Sequence, residues 1–179
     1  MGQRGAVPAT LADLQALLDN YSVLSTSEPA SGDISSDDYY LTAQVWEALS
    51  NEDNKRMYVW EKDHLFTSIS NYWFDGYRSV YYSNSVLEQV DKARGNTSDH
   101  HNVKGQALFF RGKCFLQIAW LWTLAYDEQN AGTEPGIPLR LNSNFNEESA
   151  RSSIRDTYQQ IIRDLKAAAS FLPISSIHP

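Results

Sequence analysis

Apolar positions recur at helical spacing in four stretches of this chain, and between them the pattern is polar or broken. Leu11, Leu14, Leu17 and Leu18 share one face of a first helix. Thr10-Leu11-Ala12-Asp13 opens it like a capping box: the Thr10 hydroxyl can accept from an orphan backbone N–H, and Asp13 suits the positive helix end. The helix is expected to end near Asn20, a residue that tolerates C-terminal geometry. Residues 25–40, STSEPASGDISSDDYY, contain Pro29 and Gly32 and read as a loop. Beyond them the pattern predicts short helices at 45–49 and 64–69, with an irregular stretch at 55–60.

The periodicity then sharpens. Trp73, Tyr77, Val80, Asn84 and Leu87 predict a helix over 72–93, with Val90 adjoining and Arg94-Gly95-Asn96 closing it. Asn84, on the apolar face, reads as a core hydrogen-bonder that satisfies a neighbouring backbone group. A polar loop holding Asp99, His100 and His101 is expected to lead into a helix over 104–125. That helix has Ala107, Phe110, Cys114, Ile118, Leu121 and Ala125 on one stripe and Leu108, Phe115, Ala119 and Trp122 on a second. Stripes that wide imply packing on two sides. Residues 127–150 form a Gly/Asn/Glu/Pro-rich connection. Ser152 or Ser153 then caps a helix with Ile154, Tyr158, Ile161, Ile162, Leu165, Ala168, Ala169 and Leu172, stopped at Leu172-Pro173.

Strand signals are scarce, so the fold class is all-α. The 72–93 and 104–125 helices make an antiparallel hairpin of tetratricopeptide-like size, and 154–172 reads as the first half of another. Such hairpins bury one face only when stacked on neighbours, so the pattern is that of an incomplete repeat array with irregular loops. The last helix has apolar residues on more than one side, and a dimer through it is expected.

Length and composition narrow the classes. The 179 residues suit a single domain spanning 1–179, and 42% apolar with 21% charged residues is ordinary for a soluble globular protein. The net charge of −7, without a basic stripe, argues against a nucleic-acid partner. No run of 18 apolar residues marks a membrane span, and Met1–Thr10 lacks the apolar core of a secretory signal. The single cysteine, Cys114, has no partner for an internal disulfide.

Candidate chemistry is sparse. Cys114 with His100 or His101 could be a nucleophile and base, but its place on an apolar stripe favours a buried structural thiol. Asp99-His100-His101 lacks a third ligand at metal-binding spacing. Asp33, Asp37 and Asp38 do not have the spacing of a calcium loop. No cofactor or metal is expected. Aromatic residues make up 12% of the chain, including five Trp and ten Tyr. Most of them fill the core, but Trp46, Tyr58 and Trp60 stand apart from the strongly periodic helices, in a segment where binding residues tend to cluster. They read either as packing of that segment or as rings that stack on sugars.

Several pieces, taken in order, resemble the SusD/RagB family of outer-membrane nutrient-binding lipoproteins. They are VPATLADLQALLDN near the start, SDDYY at 36–40, YVW at 58–60, YWFDGYRSVYYSNSVLEQV at 72–90, Arg111, GIPLR at 136–140 and RSSIRDTYQQIIRDLKAAASFLP at 151–173. The resemblance implies a non-catalytic surface protein of Bacteroides-type bacteria. Such a protein captures an oligosaccharide, or a peptide, and works with a TonB-dependent outer-membrane transporter. It also implies a lipoprotein anchor upstream and that this chain is the N-terminal portion of a longer protein. Trp46, Tyr58 and Trp60 are the expected ligand contacts. The rival reading is a tetratricopeptide-like scaffold whose groove binds protein segments. A carboxylate pair for glycoside hydrolysis is not identifiable.

Overall fold

The computed structural model describes residues 10–25, 29–66 and 71–175. In chain order the elements are α1 (Leu11–Leu18), α2 (Tyr21–Leu24), α3 (Ser31–Ile34), α4 (Ala43–Ala48), α5 (Glu52–Tyr58), α6 (Tyr72–Gln89), α7 (Thr97–Trp122), β1 (Pro135–Pro138), β2 (Arg151–Ser153) and α8 (Ile154–Phe171). Of the described residues, 59% are helical and 6% are in strands. The fold is the helical-hairpin class read from the sequence, with one small antiparallel strand pair, β1 with β2.

Polar side-chain caps start α1 and each α-helix from α4 onward. Thr10 and Asp13 form a reciprocal capping box at 3.1 Å in each direction. Asn71 Oδ1 accepts from Trp73 N and Phe74 N, and Ser153 Oγ accepts from Asp156 N. A 3-10 turn, Val90–Lys92, continues α6, close to the expected end at 93.

The hairpin of α6 and α7 is antiparallel. Gly76 lies against Ile118 at one end, and Val86 and Val90 join Val103 and Ala107 at the other. Helix α8 packs on the opposite side of α7, also antiparallel, with Gly105 against Leu172 and Gly112 against Leu165. This is the two-sided burial that the wide stripes of α7 predict. The core has two clusters along this layer. Leu14, Leu18, Val23 and Leu24 close one over Val86, Val90 and Val103. The other joins Val80, Cys114, Phe115, Ile118, Ile137 and Ile161. Burying a side chain such as Phe115 stabilises by about 1.5–3 kcal/mol.

Five local readings are corrected. Helix α7 starts at Thr97, so Asp99, His100 and His101 lie in its first turns and not in a loop; Asn96 Oδ1 accepts from Asp99 N at 2.9 Å and caps it. The same helix stops at Trp122 rather than 125. Residues 52–58, expected to be partly irregular, form α5, capped by Asn51 and carrying Glu52 and Asp53 at the end where acids are favoured. Helix α3 interrupts the 25–40 stretch read as loop, and α2 follows directly where the first helix is expected to end. The helix expected at 64–69 is not formed over 64–66, and its remainder lies outside the described residues.

Within the 127–150 stretch read as connection, Pro135–Pro138 forms strand β1. Ile137 N donates to Thr157 Oγ1 at 3.1 Å and Ser152 Oγ to Ile137 O at 2.8 Å, which seats Ile137 fully buried between α7 and α8. On α8 the side away from α7 is mostly polar, with Ile162 49% exposed.

Candidate functional site

Three tryptophans meet at one end of the helical layer. The end of α7 brings Trp120 and Trp122, and the end of α5 brings Trp60. With Met57, Glu61, Leu65, Phe66, Leu121 and the Ser31–Ser35 turn of α3 they line a cleft of about 490 Å³. Trp60 is 69% exposed and Trp120 65%. Trp122 is half-buried and braced edge-on by Trp73, with ring centroids 5.3 Å apart.

The backbone under Trp60 is unusual. Trp60 N donates to Met57 O at 3.1 Å and Glu61 N to Arg56 O at 3.0 Å. These are the paired bonds that close a helix through a left-handed residue, a place usually given to glycine. Trp60 occupies it with φ 56°. For a bulky side chain that conformation costs about 1–2 kcal/mol, and it turns the indole out of the path of α5.

Polar groups in the cleft are few. Glu61 faces Arg56 at 3.8 Å, and Arg56 also donates to His64 O at 2.6 Å. Ser31 Oγ is buried without a hydrogen-bond partner. The lining is therefore largely aromatic, with a carboxylate and hydroxyls at its edge. Such a surface can hold a flat face of C–H groups and accept from hydroxyls.

Of the three residues singled out in the sequence, Trp60 lines this cleft. Tyr58 does not; its hydroxyl accepts from Leu41 N at 2.7 Å and its ring tilts against Tyr39. Trp46 lies under the Lys55 ammonium, 5.7 Å from the ring centroid, with its Nε1 buried and unpartnered. Trp120 and Trp122 were missed. Spacing sets Trp122 on a core stripe, and the structure instead opens one side of it to the cleft. The available signal is two tryptophans, Trp120 and Trp122, at the end of a helix, where burial on two sides runs out.

The other candidate constellations do not assemble. Cys114 is buried at 5% exposure in the second core cluster. Among the described residues no group of three or more His, Cys, Asp or Glu side chains is arranged to hold a metal ion, and no helix is long and apolar enough to cross a membrane.

Comparison with known proteins places this geometry in a wider set. The profile of a SusD-like family, described as starch-binding associating with outer membrane, matches residues 3–178. A SusD-like carbohydrate-binding protein of Bacteroides vulgatus is 22% identical, with a TM-score of 0.69 over 96% of this chain and 37% of that one. A SusD superfamily protein of Bacteroides thetaiotaomicron is 20% identical, with a TM-score of 0.71 over 92% of this chain and 38% of that one. At these identities the likeness is one of fold. The chain spans less than two fifths of the length of either structure. Among curated proteins none matches.

Proposed function

The chain belongs to the SusD-like family, and from that premise we propose that it captures oligosaccharide at the outer membrane, without catalysis, in the cleft of Trp60, Trp120 and Trp122. The bound glycan is then passed to a TonB-dependent transporter, with the lipoprotein anchor that the family resemblance implies holding the protein at the surface. The observation that carries the reading is the indole of Trp60. It is exposed, it faces the cleft, and it sits at a backbone position that favours glycine. Strain of this kind is retained where a side chain is needed in a fixed place.

The mechanism is stacking plus edge-on polar contact. A sugar ring laid on Trp60 and another on Trp120 present their hydroxyls to Glu61 and to the Ser31–Ser35 turn. Each stack contributes about 1 kcal/mol, by analogy with aromatic pairs, so one ring binds weakly and several are required. In this reading Trp46 and Tyr58 support the segment that carries Trp60, through Lys55 and Leu41.

The test is calorimetry with starch-derived oligosaccharides on the chain and on its Trp60→Ala and Trp120→Ala variants. Each substitution is expected to weaken binding about five-fold, the equivalent of about 1 kcal/mol. Unchanged affinity in both, with the fold intact, would overturn the site. Binding of peptides through the same rings would transfer it to a peptide ligand. Co-purification of a barrel transporter with the anchored protein tests the partnership.

A further inference from the structure

A second cavity, of about 300 Å³, lies between α6 and the loop that follows β1. It backs onto the tryptophan cleft through the Trp73–Trp122 contact but shares no lining residue with it. Its walls are rings. Trp73 and Tyr77 tilt against each other at 4.9 Å, and Tyr81 stacks on Phe145 at 4.5 Å and 28°. Phe145 is 75% exposed in spite of that stack. Asn142, Ser143 and Ser149 supply amide and hydroxyl groups at the rim.

The loop is held in place from below. Buried Asn84 donates to Arg140 O and Asn142 O at 2.9 Å each, and Glu88 accepts from Ser143 N and Oγ at 2.7 and 2.6 Å. Arg140 is the hub. Its guanidinium donates to Glu147 O at 2.6 Å, to Ser149 Oγ at 2.7 Å and to Asn144 O. A guanidinium has five N–H groups, so these bonds leave two, and none of the three acceptors is a carboxylate.

The nearby acids are committed elsewhere. Glu88 holds Ser143, and the Glu147 carboxylate accepts from Asn142 Nδ2 at 2.5 Å. Arg151, on β2, donates to Gly136 O and Trp122 O and forms no ion pair among the described residues either. Both arginines act on the Tyr77 hydroxyl: burial pushes the phenol up, and the charges of Arg151 and Arg140 pull it down. The cavity is thus an aromatic box with a half-buried cation in its wall that no carboxylate of the described residues pairs.

We propose that this cavity is a second ligand site and takes a uronic acid unit, a sugar ring that bears a carboxylate. The ring face lies between the Tyr81–Phe145 stack and Trp73, the carboxylate meets the remaining N–H groups of Arg140, and the hydroxyls face Asn142, Ser143 and Ser149. A volume at the small end of ligand pockets, roughly 300–1,000 Å³, suits one ring rather than a chain. A charge-assisted bond to a guanidinium is stronger than a neutral one, which gives the site its preference for an acid. The site stands independently of the tryptophan cleft.

The experiment is ligand-observed NMR with D-glucuronate and D-galacturonate against D-glucose, D-galactose and acetate, at fixed ionic strength. Uronates are expected to bind at least ten-fold more tightly than their neutral counterparts and than acetate. Phe145→Ala, which removes an exposed ring and leaves the bonds of the loop in place, is expected to weaken uronate binding at least five-fold. Arg140→Gln is expected to abolish the preference for the acid, while Trp60→Ala leaves it unchanged. Equal binding of neutral and acidic sugars would overturn the proposal, as would acetate binding as well as glucuronate. So would the absence of uronate binding, or uronate binding that Trp60→Ala removes and Phe145→Ala does not.

Discussion

Arg111 and Asp164 meet in a two-pronged bond, Nε to Oδ2 at 2.8 Å and Nη2 to Oδ1 at 2.7 Å, buried between α7 and α8. The third prong of Arg111, Nη1, donates to Asn84 Oδ1 at 3.0 Å, and Gln160 Nε2 donates to Asp164 Oδ1 at 2.9 Å. One network therefore ties α6, α7 and α8 and, through Asn84, the loop after β1. Removing one partner leaves a buried charge uncompensated, so Asp164→Ala is expected to cost about 3–5 kcal/mol. Replacing both, Arg111→Met with Asp164→Leu, is expected to cost much less than the sum of the single changes. Urea unfolding of the two singles and the double checks this; additive losses would mean that the pair does not act as a unit.

At Trp60 the usual order of substitutions is expected to invert. With φ at 56°, glycine relieves the backbone and alanine does not, so Trp60→Gly is expected to be more stable than Trp60→Ala by about 1 kcal/mol. Both lose the exposed indole, so the comparison isolates the backbone. Thermal unfolding of the two variants measures it, and equal stability would contradict the left-handed assignment.

Gly136 is required where β1 approaches β2. A Cβ there would strike the Thr157 hydroxyl and the backbone carbonyl of Ser153, and a backbone carbonyl cannot swing aside. Gly136→Ala is expected to destabilise by about 1–3 kcal/mol, as overpacking does. The check is the urea midpoint, with Gly32→Ala as control, since a Cβ at Gly32 meets nothing within 4 Å.

Cys114 is expected to react slowly with a thiol reagent in the native protein and quickly once unfolded, since it is buried beside Phe115 and Ile118. Cys114→Ala leaves a small cavity and is expected to cost about 1 kcal/mol. Native-state labelling kinetics measure the first effect and denaturant unfolding the second.

Ile162 is the large apolar side chain exposed on the outer side of α8. If copies of the chain associate through that side, as expected from apolar residues on more than one side of the helix, Ile162→Lys is expected to remove concentration-dependent association in sedimentation runs. Its effect on stability is expected to stay within about 0.5 kcal/mol, as for other surface changes. Undiminished association would place the contact elsewhere.

The helices and their partners are legible in outline from the linear pattern. Helical spacing and side-chain caps act within four residues, so Thr10 with Asp13, the two stripes of α7 and the Ser153 cap of α8 are readable without a fold. Asn96-Thr97-Ser98-Asp99 carried an equally local cap. That cap is masked because Arg94-Gly95-Asn96 also reads as the end of the preceding helix, and one short polar stretch can serve either purpose. Asn84 was legible as a core hydrogen-bonder because a polar residue on an apolar stripe must be satisfied when buried.

The pairing of Arg111 with Asp164 comes from the assembled fold, because they lie 53 positions apart and nothing local marks one for the other. That fold likewise settles that Pro135–Pro138 is a strand, since Ile137 is held by Thr157 and Ser152 and not by its neighbours. The tryptophan cleft is the sharpest case. Trp60 adopts a backbone that its own side chain disfavours, so propensity points away from it. Trp120 and Trp122 look like core on spacing alone, because the stripe of a helix does not reveal where its neighbours stop covering it.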